Sequence, residues 1–449
     1  LLKNGVLGQR FGNIANTFDV KGDSSLFLDF KIPLSLIGKP HLDGILQFNG
    51  SRVSLPDWDI SIEKVAGKLM IGLNSIETEN IEGIFLGSPL TISIYPKSEK
   101  FTSIKSKFSL SSASIEKKYP EISGNFLKGR GNFNFSLDIP NAKTDPRKPA
   151  FAEISSNLVG LKINLPHPLG KTKTQTRIFK IRLPIGGNKK KTEINYDNKL
   201  NIFFSRNLKN IEARYQSNTK KISKAGYNLL ANLDFIDMNS WQNIFKKFKK
   251  NNAYDKNWSI NIKSKKMVIN KFTLNDTNLE INKNKNLLSG NINSEEIEGI
   301  FNYRVKDNLI INLKKLYLYY DAEKKYIQQT KKELNSVDPL LFPKTTFMCK
   351  DLKINQADFG KAKVILIPKK TGLDISELTL NGSDVNIEGT GSWFWDKGNQ
   401  KTKFVGSLKT QKLGDLLKKI GYPRHMHKAS AKLSFNLLWS GNPTQGSKN

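Results

Sequence analysis

The chain has one cysteine, Cys349, in 449 residues. That excludes an internal disulfide, though it says little about compartment, since an oxidising compartment does not force disulfides on a long chain. Long apolar runs are missing too: no stretch reaches the roughly 18 consecutive apolar residues that a membrane-spanning helix needs. Hydrophobic residues make up only 38% of the chain, which suits a thin architecture with one apolar sheet face better than a thick layered core. Acidic residues number 40 against 72 basic ones, so carboxylate-built metal sites are not expected. A GxxxxGK[ST] phosphate loop is absent, and Gly389-Thr390-Gly391 lacks the third glycine and the helix of a dinucleotide fingerprint. An initiator Met and a signal segment are absent as well. Both ends read as interior to a longer chain, and a targeting segment is expected outside this sequence.

The remaining reactive side chains do not assemble into a constellation. His425 and His427 form an HxH pair without further ligands nearby, short of a zinc site. His167 lies between Pro166 and Pro168 and reads as a turn residue. His41 precedes a strand and has no evident partner in the sequence. Cys349 follows Phe347-Met348 and reads as a buried, inert thiol. Glu295, Glu296 and Glu298 read as a solvated turn. No catalytic residue, cofactor or metal is therefore expected, and the chain is not read as an enzyme.

The net charge is +32, with a sequence pI near 9.8. The excess is mostly Lys, spread along the chain with Asn and Ile, a mixture that AT-rich coding also produces. A selected field would suit anionic lipid head groups as well as nucleic acid. The clusters Lys189-Lys190-Lys191, Lys246 to Lys250, and Lys324-Lys325 with Lys331-Lys332 read as solvated, and no aromatics interleave with them as in an RNA-reading strand. No specific nucleic-acid partner is expected.

The dominant signal is alternation with period two. Leu26, Leu28, Phe30 and Ile32 form one such run. Phe133, Phe135 and Leu137 form a second, Ile260 and Ile262 a third, Leu309 and Ile311 a fourth, and Leu433, Phe435 and Leu437 a fifth. Each alternates with residues of the other face, as in strands of an antiparallel sheet. Asn49-Gly50, Gly186-Gly187-Asn188, Ser289-Gly290-Asn291 and Asn381-Gly382-Ser383 read as hairpin turns. Two short helices are expected. One runs from Asn239 to Lys250, capped by Asn239 or Ser240. The other runs from Gln411 to Ile420. At about 14 residues per strand and turn, roughly 30 strands are expected, spaced about 4.8 Å apart. Residues 1–449 read as one continuous sheet, with a subdivision into 1–320 and 339–449 as the alternative, around the charged segment 321–338.

Several stretches, in order, resemble the YhdP family, the AsmA-like proteins of Gram-negative bacteria. Leu42-Asp43-Gly44 with Ser54-Leu55-Pro56 comes first, then Ile60 to Gly67. Glu153 to Leu161 runs into Leu165-Pro166-His167-Pro168-Leu169-Gly170-Lys171, the most specific phrase. Asn239 to Phe245, Phe359 to Ala362, Gly389 to Trp395, Gly414 to Gly421 and Leu433 to Gly441 follow. The family segment around Phe347 to Lys350 is richer in cysteine than this one. The resemblance implies an all-β fold: an elongated, twisted antiparallel sheet curled into a trough, a β groove with a few short helices. It implies a periplasmic protein held to the inner membrane by an anchor outside this chain, carrying phospholipids between inner and outer membranes. The groove candidates are then the fourteen alternating residues just named, with phospholipid acyl chains as partners. An envelope assembly factor acting through its sheet edges, with unknown protein partners, is the alternative.

Overall fold

The computed structural model describes residues 19–31, 41–72, 75–98, 101–120, 126–140, 150–185, 191–205, 208–217, 226–248, 256–270, 272–305, 307–319, 338–419 and 429–443. The alternating runs become 26 strands of one sheet that does not close into a barrel. These strands are counted among the described residues, and several are long: β3 has 15 residues and β8 has 14. Among the described residues no helix is long and apolar enough to cross a membrane. The chain forms two compact units, residues 1–230 with 240–253, and residues 231–239 with 254–449.

The first unit is a meander. It contains β1 (Asp19–Lys21), β2 (Ser24–Lys31), β3 (His41–Leu55), β4 (Ile60–Gly72), β5 (Ile76–Phe85), β6 (Ser88–Ser98) and β7 (Phe101–Ser111). Helix α1 (Ser112–Lys118) follows, then β8 (Leu127–Pro140), β9 (Ala150–Ser156), β10 (Leu161–Ile163), β11 (Phe179–Ile185), β12 (Thr192–Tyr196), β13 (Leu200–Phe204) and β14 (Ile211–Tyr215). From β3 to β9 each strand pairs antiparallel with the next. β9 then pairs with β11, and β11 to β14 continue the order, while β10 pairs with the other half of β8. The sheet curls within this unit. Trp58 and Ile60 pack in one cluster with Leu183 and Ile185, although β5 to β9 lie between β4 and β11 in the strand order.

The Asn49-Gly50 pair lies inside β3 and makes no hairpin. It forms a bulge, with shifted register on both sides of Ser51 and Gly50 at φ +89°. A bulge and a primed turn both need a residue that tolerates positive φ, so the dipeptide alone does not separate them. Helix α1 was not foreseen: at seven residues it is short, though Ser111, whose hydroxyl accepts from the Ser114 amide, and the terminal Lys117-Lys118 are ordinary helix signals. His41 is not isolated, since its Nε2 lies 2.8 Å from Asp43 Oδ2.

β15 (Tyr227–Asp237) leads into α2 (Met238–Phe248). The capping group is Asp237, whose carboxylate accepts from the Asn239 amide at 2.9 Å, rather than Asn239 or Ser240. Asn239 instead exchanges two hydrogen bonds with the Asn270 backbone.

The second unit continues with β16 (Trp258–Ile269), β17 (Phe272–Asn284), β18 (Leu287–Asn293), β19 (Ile297–Arg304) and β20 (Asn308–Leu318). It ends with β21 (Lys344–Ile354), β22 (Ala357–Lys369), β23 (Gly372–Asn381), β24 (Asn386–Asp396), β25 (Asn399–Thr410), α3 (Leu413–Lys419) and β26 (Ala431–Ser440). Pairing is antiparallel except between β20 and β21, which run parallel. A parallel pair needs a crossover from one strand end to the other, which is the topological reason for the long charged connection here. Ser289-Gly290-Asn291 lies inside β18, not in a turn. Asn381-Gly382-Ser383 does link two strands, with the Gly382 amide donating to the Val385 carbonyl at 3.0 Å. Glu296 is buried rather than solvated; its carboxylate accepts from the Asn275 amide and side chain at 2.8 and 2.6 Å. Gly186-Gly187-Asn188, His425 and His427 lie outside the described residues, as do Lys189, Lys190 and the cluster from Lys324 to Lys332.

Helix α3 is held to the sheet by Asp384. Its carboxylate takes the Lys419 ammonium at 2.7 and 2.8 Å and the Asp358 amide at 2.7 Å. Burial alone would raise the Asp384 pKa, but the Asp358 amide and Lys419 outweigh it and the pKa is lowered from 3.8. The stabilisation is therefore complete above the ordinary carboxylate range and is lost as pH falls below it. Asp384→Asn is expected to cost about 1–3 kcal/mol at neutral pH. In urea titrations the difference from the parent protein should shrink as the pH is lowered.

Candidate functional site

In an antiparallel or parallel ladder, directly opposed residues share a face. Following opposed pairs across the second unit gives a row through eleven strands, from β16 to β26. It runs Ile260, Ile281, Gly290, Phe301, Ile311, Phe347, Val364, Leu378, Gly389, Gly406, Phe435. No polar side chain interrupts it. A second row two residues along is equally apolar: Ile262, Leu279, Ile292, Gly299, Leu313, Cys349, Ala362, Leu380, Ile387, Leu408, Leu433. Leu313, Cys349 and Ala362 of this row are buried in one cluster with Leu416 of α3, so that part lies under the helix. The first row is partly buried along its length, with Gly290 buried and none of its residues exposed.

Glycine and aromatic residues fit together along the first row. A Cβ on Gly290 would sit 2.1 Å from the Phe301 ring, and one on Gly406 would sit 3.1 Å from the Phe435 ring. The aromatic ring covers the missing side chain of its opposed neighbour and keeps the surface apolar.

The first unit carries a comparable row: Phe48, Gly67, Ile81, Ile92, Ser106, Phe135, Ile154, Ile181, Ile194, Ile202, Ala213. Where this sheet curls, the row borders a cavity of about 300 Å³, at the small end of ligand sites. Its walls include Phe48, Ile62, Val65, Phe85, Ile104, Phe108, Ile139 and Leu183, no charged side chain, and only two polar ones, Thr102 and Ser106. A roomier hollow on the second unit touches Leu378, Gly389, Gly406 and Phe435 of the first row and is bordered as well by Glu377, Glu388 and several hydroxyl side chains.

The structure places the fourteen sequence candidates as follows. Phe135 and Leu137 line the cavity, and Phe133 is buried in the adjoining cluster. Leu26 packs partly buried near Leu46, and Leu28 is 42% exposed on the same face. Phe30 opposes Leu42 in the ladder, and Ile32 lies outside the described residues. Ile260, Ile311 and Phe435 stand in the first row of the second unit, and Ile262 and Leu433 in the second. Leu309 opposes Thr345 and Leu437 opposes Phe404 in the next row out, which is not wholly apolar. The sequence reading missed most of the cavity wall, from Phe48 to Ile94. Bulges in β3, β4 and β5 shift the alternation there.

Among the described residues no group of three or more His, Cys, Asp or Glu is placed to hold a metal. Cys349 is buried and burial raises its thiol pKa, the opposite of an activated nucleophile.

The family model for the YhdP protein matches residues 1–449. This chain belongs to the YhdP family. Comparison with curated proteins and with solved structures gives no match.

In this YhdP-family chain the phrase from Leu165 to Lys171 has a structural task. The Leu169 and Gly170 amides both donate to the Pro166 carbonyl, closing a turn. A Cβ on Gly170 would lie 2.1 Å from the Leu165 carbonyl oxygen, so only glycine fits. Lys171 is buried at 5% exposure, and its Nζ donates to the carbonyls of Leu158, Leu161 and Thr172 at 2.8, 2.5 and 2.7 Å. The Tyr196 hydroxyl ties the turn to β12 through the Leu169 carbonyl. Replacing Lys171 by Met strands those carbonyls and is expected to cost about 3 kcal/mol. A shifted denaturation midpoint with unchanged slope would show this.

Proposed function

We propose that this protein binds phospholipid acyl chains on the apolar face of its sheet and passes them passively between inner and outer membranes. On this reading it is the periplasmic part of an inner-membrane-anchored protein. The observation that carries the reading is the run of opposed apolar residues through eleven successive strands of the second unit, with the apolar cavity of the first unit in support. Burying one methylene is worth about 0.8 kcal/mol, so a chain is held only where apolar contact is continuous. A row that repeats the same kind of contact at every strand offers successive positions of similar energy. Family membership agrees with this role.

One feature favours the assembly reading. β26 pairs only with β25 among the described residues, and it exposes Leu433, Leu437 and Leu438 by 50, 49 and 64%. The second side of β26 can accept a further strand, from a partner or from the protein's own continuation.

The two readings part on lipid contact in cells. A photocrosslinking residue in place of Phe135 or Phe435 should yield lipid adducts by mass spectrometry, while one in place of exposed Asn134 should not. Protein adducts at Phe435 with no lipid at Phe135 would leave the assembly reading standing instead.

A further inference from the structure

Ser106 is the one polar side chain in the first unit's row. It is opposed by Ile92 on β6 and Phe135 on β8, and Ile104 and Phe108 flank it on the same face of β7. It is 7% exposed and belongs to the cavity lining, and its Oγ, itself covered by the surrounding walls, has no hydrogen-bond partner among the described residues. A buried hydroxyl left unsatisfied is costly, and a small apolar residue would avoid that cost.

Water is a poor remedy. A buried water needs two to four polar partners. The other polar wall residue, Thr102, has an interaction of its own and lies four residues along the strand, about 13 Å away. The site thus offers one hydrogen bond in apolar surroundings. A plain alkyl chain leaves the hydroxyl orphaned. An acyl ester matches it: one carbonyl oxygen to accept the bond, and hydrocarbon beside it for the walls.

We propose that Ser106 donates a hydrogen bond to the ester carbonyl of an acyl lipid held in the first unit's cavity and makes that cavity selective for ester-linked chains. This rests on the lipid-binding reading above and adds the functional group recognised.

The test uses the full chain and vesicles holding equal amounts of diester and diether phosphatidylglycerol with the same hydrocarbon chains. Captured lipid is measured by mass spectrometry. The parent protein is expected to enrich the diester at least threefold. Ser106→Ala should bring the ratio to one, and Ser106→Thr, which keeps the hydroxyl, should keep the preference. Lipid-free Ser106→Ala should also melt higher than the parent, because the orphaned hydroxyl is gone. An equal ratio in parent and Ser106→Ala overturns the proposal while leaving lipid binding intact, and so does an unchanged melting temperature, which would mean the hydroxyl is satisfied within the protein. Capture of neither lipid by the parent removes the lipid-binding reading and this proposal with it.

Discussion

Strand register is the constraint on which the rest of this structure depends. Side chains alternate with period two, so a one-residue slip at any pairing would send every later apolar residue to the opposite face. In the second unit ten successive pairings hold the same row apolar, including the parallel pair β20 and β21, where Ile311 opposes Phe347. The row survives several bulges. Between Ile375 and Leu378 the register shifts, yet Leu378 still opposes Gly389 and Ile375 still opposes Gly391. Two residues of β23, Ser376 and Glu377, stand there against one of β24, Thr390, so the bulge absorbs the extra residue and Ile375 and Leu378, three apart, keep one face. The shift between Cys349 and Leu352 on β21 leaves Leu352 buried in the same cluster as Cys349.

This constraint explains where polar residues are tolerated. Glu296, Asp384 and Lys171 are largely buried, and each is satisfied at a turn or strand end rather than in mid-row. There they bond backbone amides or carbonyls that the ladder leaves over, which is where a buried polar group stabilises. Ser106 departs from the pattern, as Thr277 and Asn278 do in the middle of β17, each with a buried oxygen that has no hydrogen-bond partner among the described residues.

Much of the fold was legible in the sequence, because period-two alternation survives without knowledge of pairing. Phe133-Phe135-Leu137 and Leu433-Phe435-Leu437 announce both strand and face. Helix α3 was also legible from its leucine spacing. What the sequence could not show is which strand lies opposite which. Ser289-Gly290-Asn291 looks like a turn until Phe301 is known to cover Gly290 from the neighbouring strand. Likewise Glu296 looks solvated until Asn275, 21 residues earlier, is brought beside it. The cavity wall of the first unit was hidden for a related reason. Bulges break the local alternation of β3 to β5, and only the curl of the sheet reunites Ile60 with Ile185.

The two units present different surfaces to a hydrocarbon chain. In the second, the partly buried first row is apolar throughout and its neighbour is covered in part by Leu416, so on the proposed reading the strip left to a chain is roughly the row from Ile260 to Phe435. On the proposed reading a chain displaced by one strand exchanges one apolar contact for another, larger at Phe301 or Phe347 and smaller at Gly290, Gly389 or Gly406. Nothing in such a strip drives a chain one way, so it permits motion without directing it. The cavity of the first unit is walled from several strands at once and includes the hydroxyl residues Thr102 and Ser106, so on the proposed reading it is a place of residence. On that reading one sheet pattern supplies both a strip for passage and a pocket for residence, and curvature is what separates them.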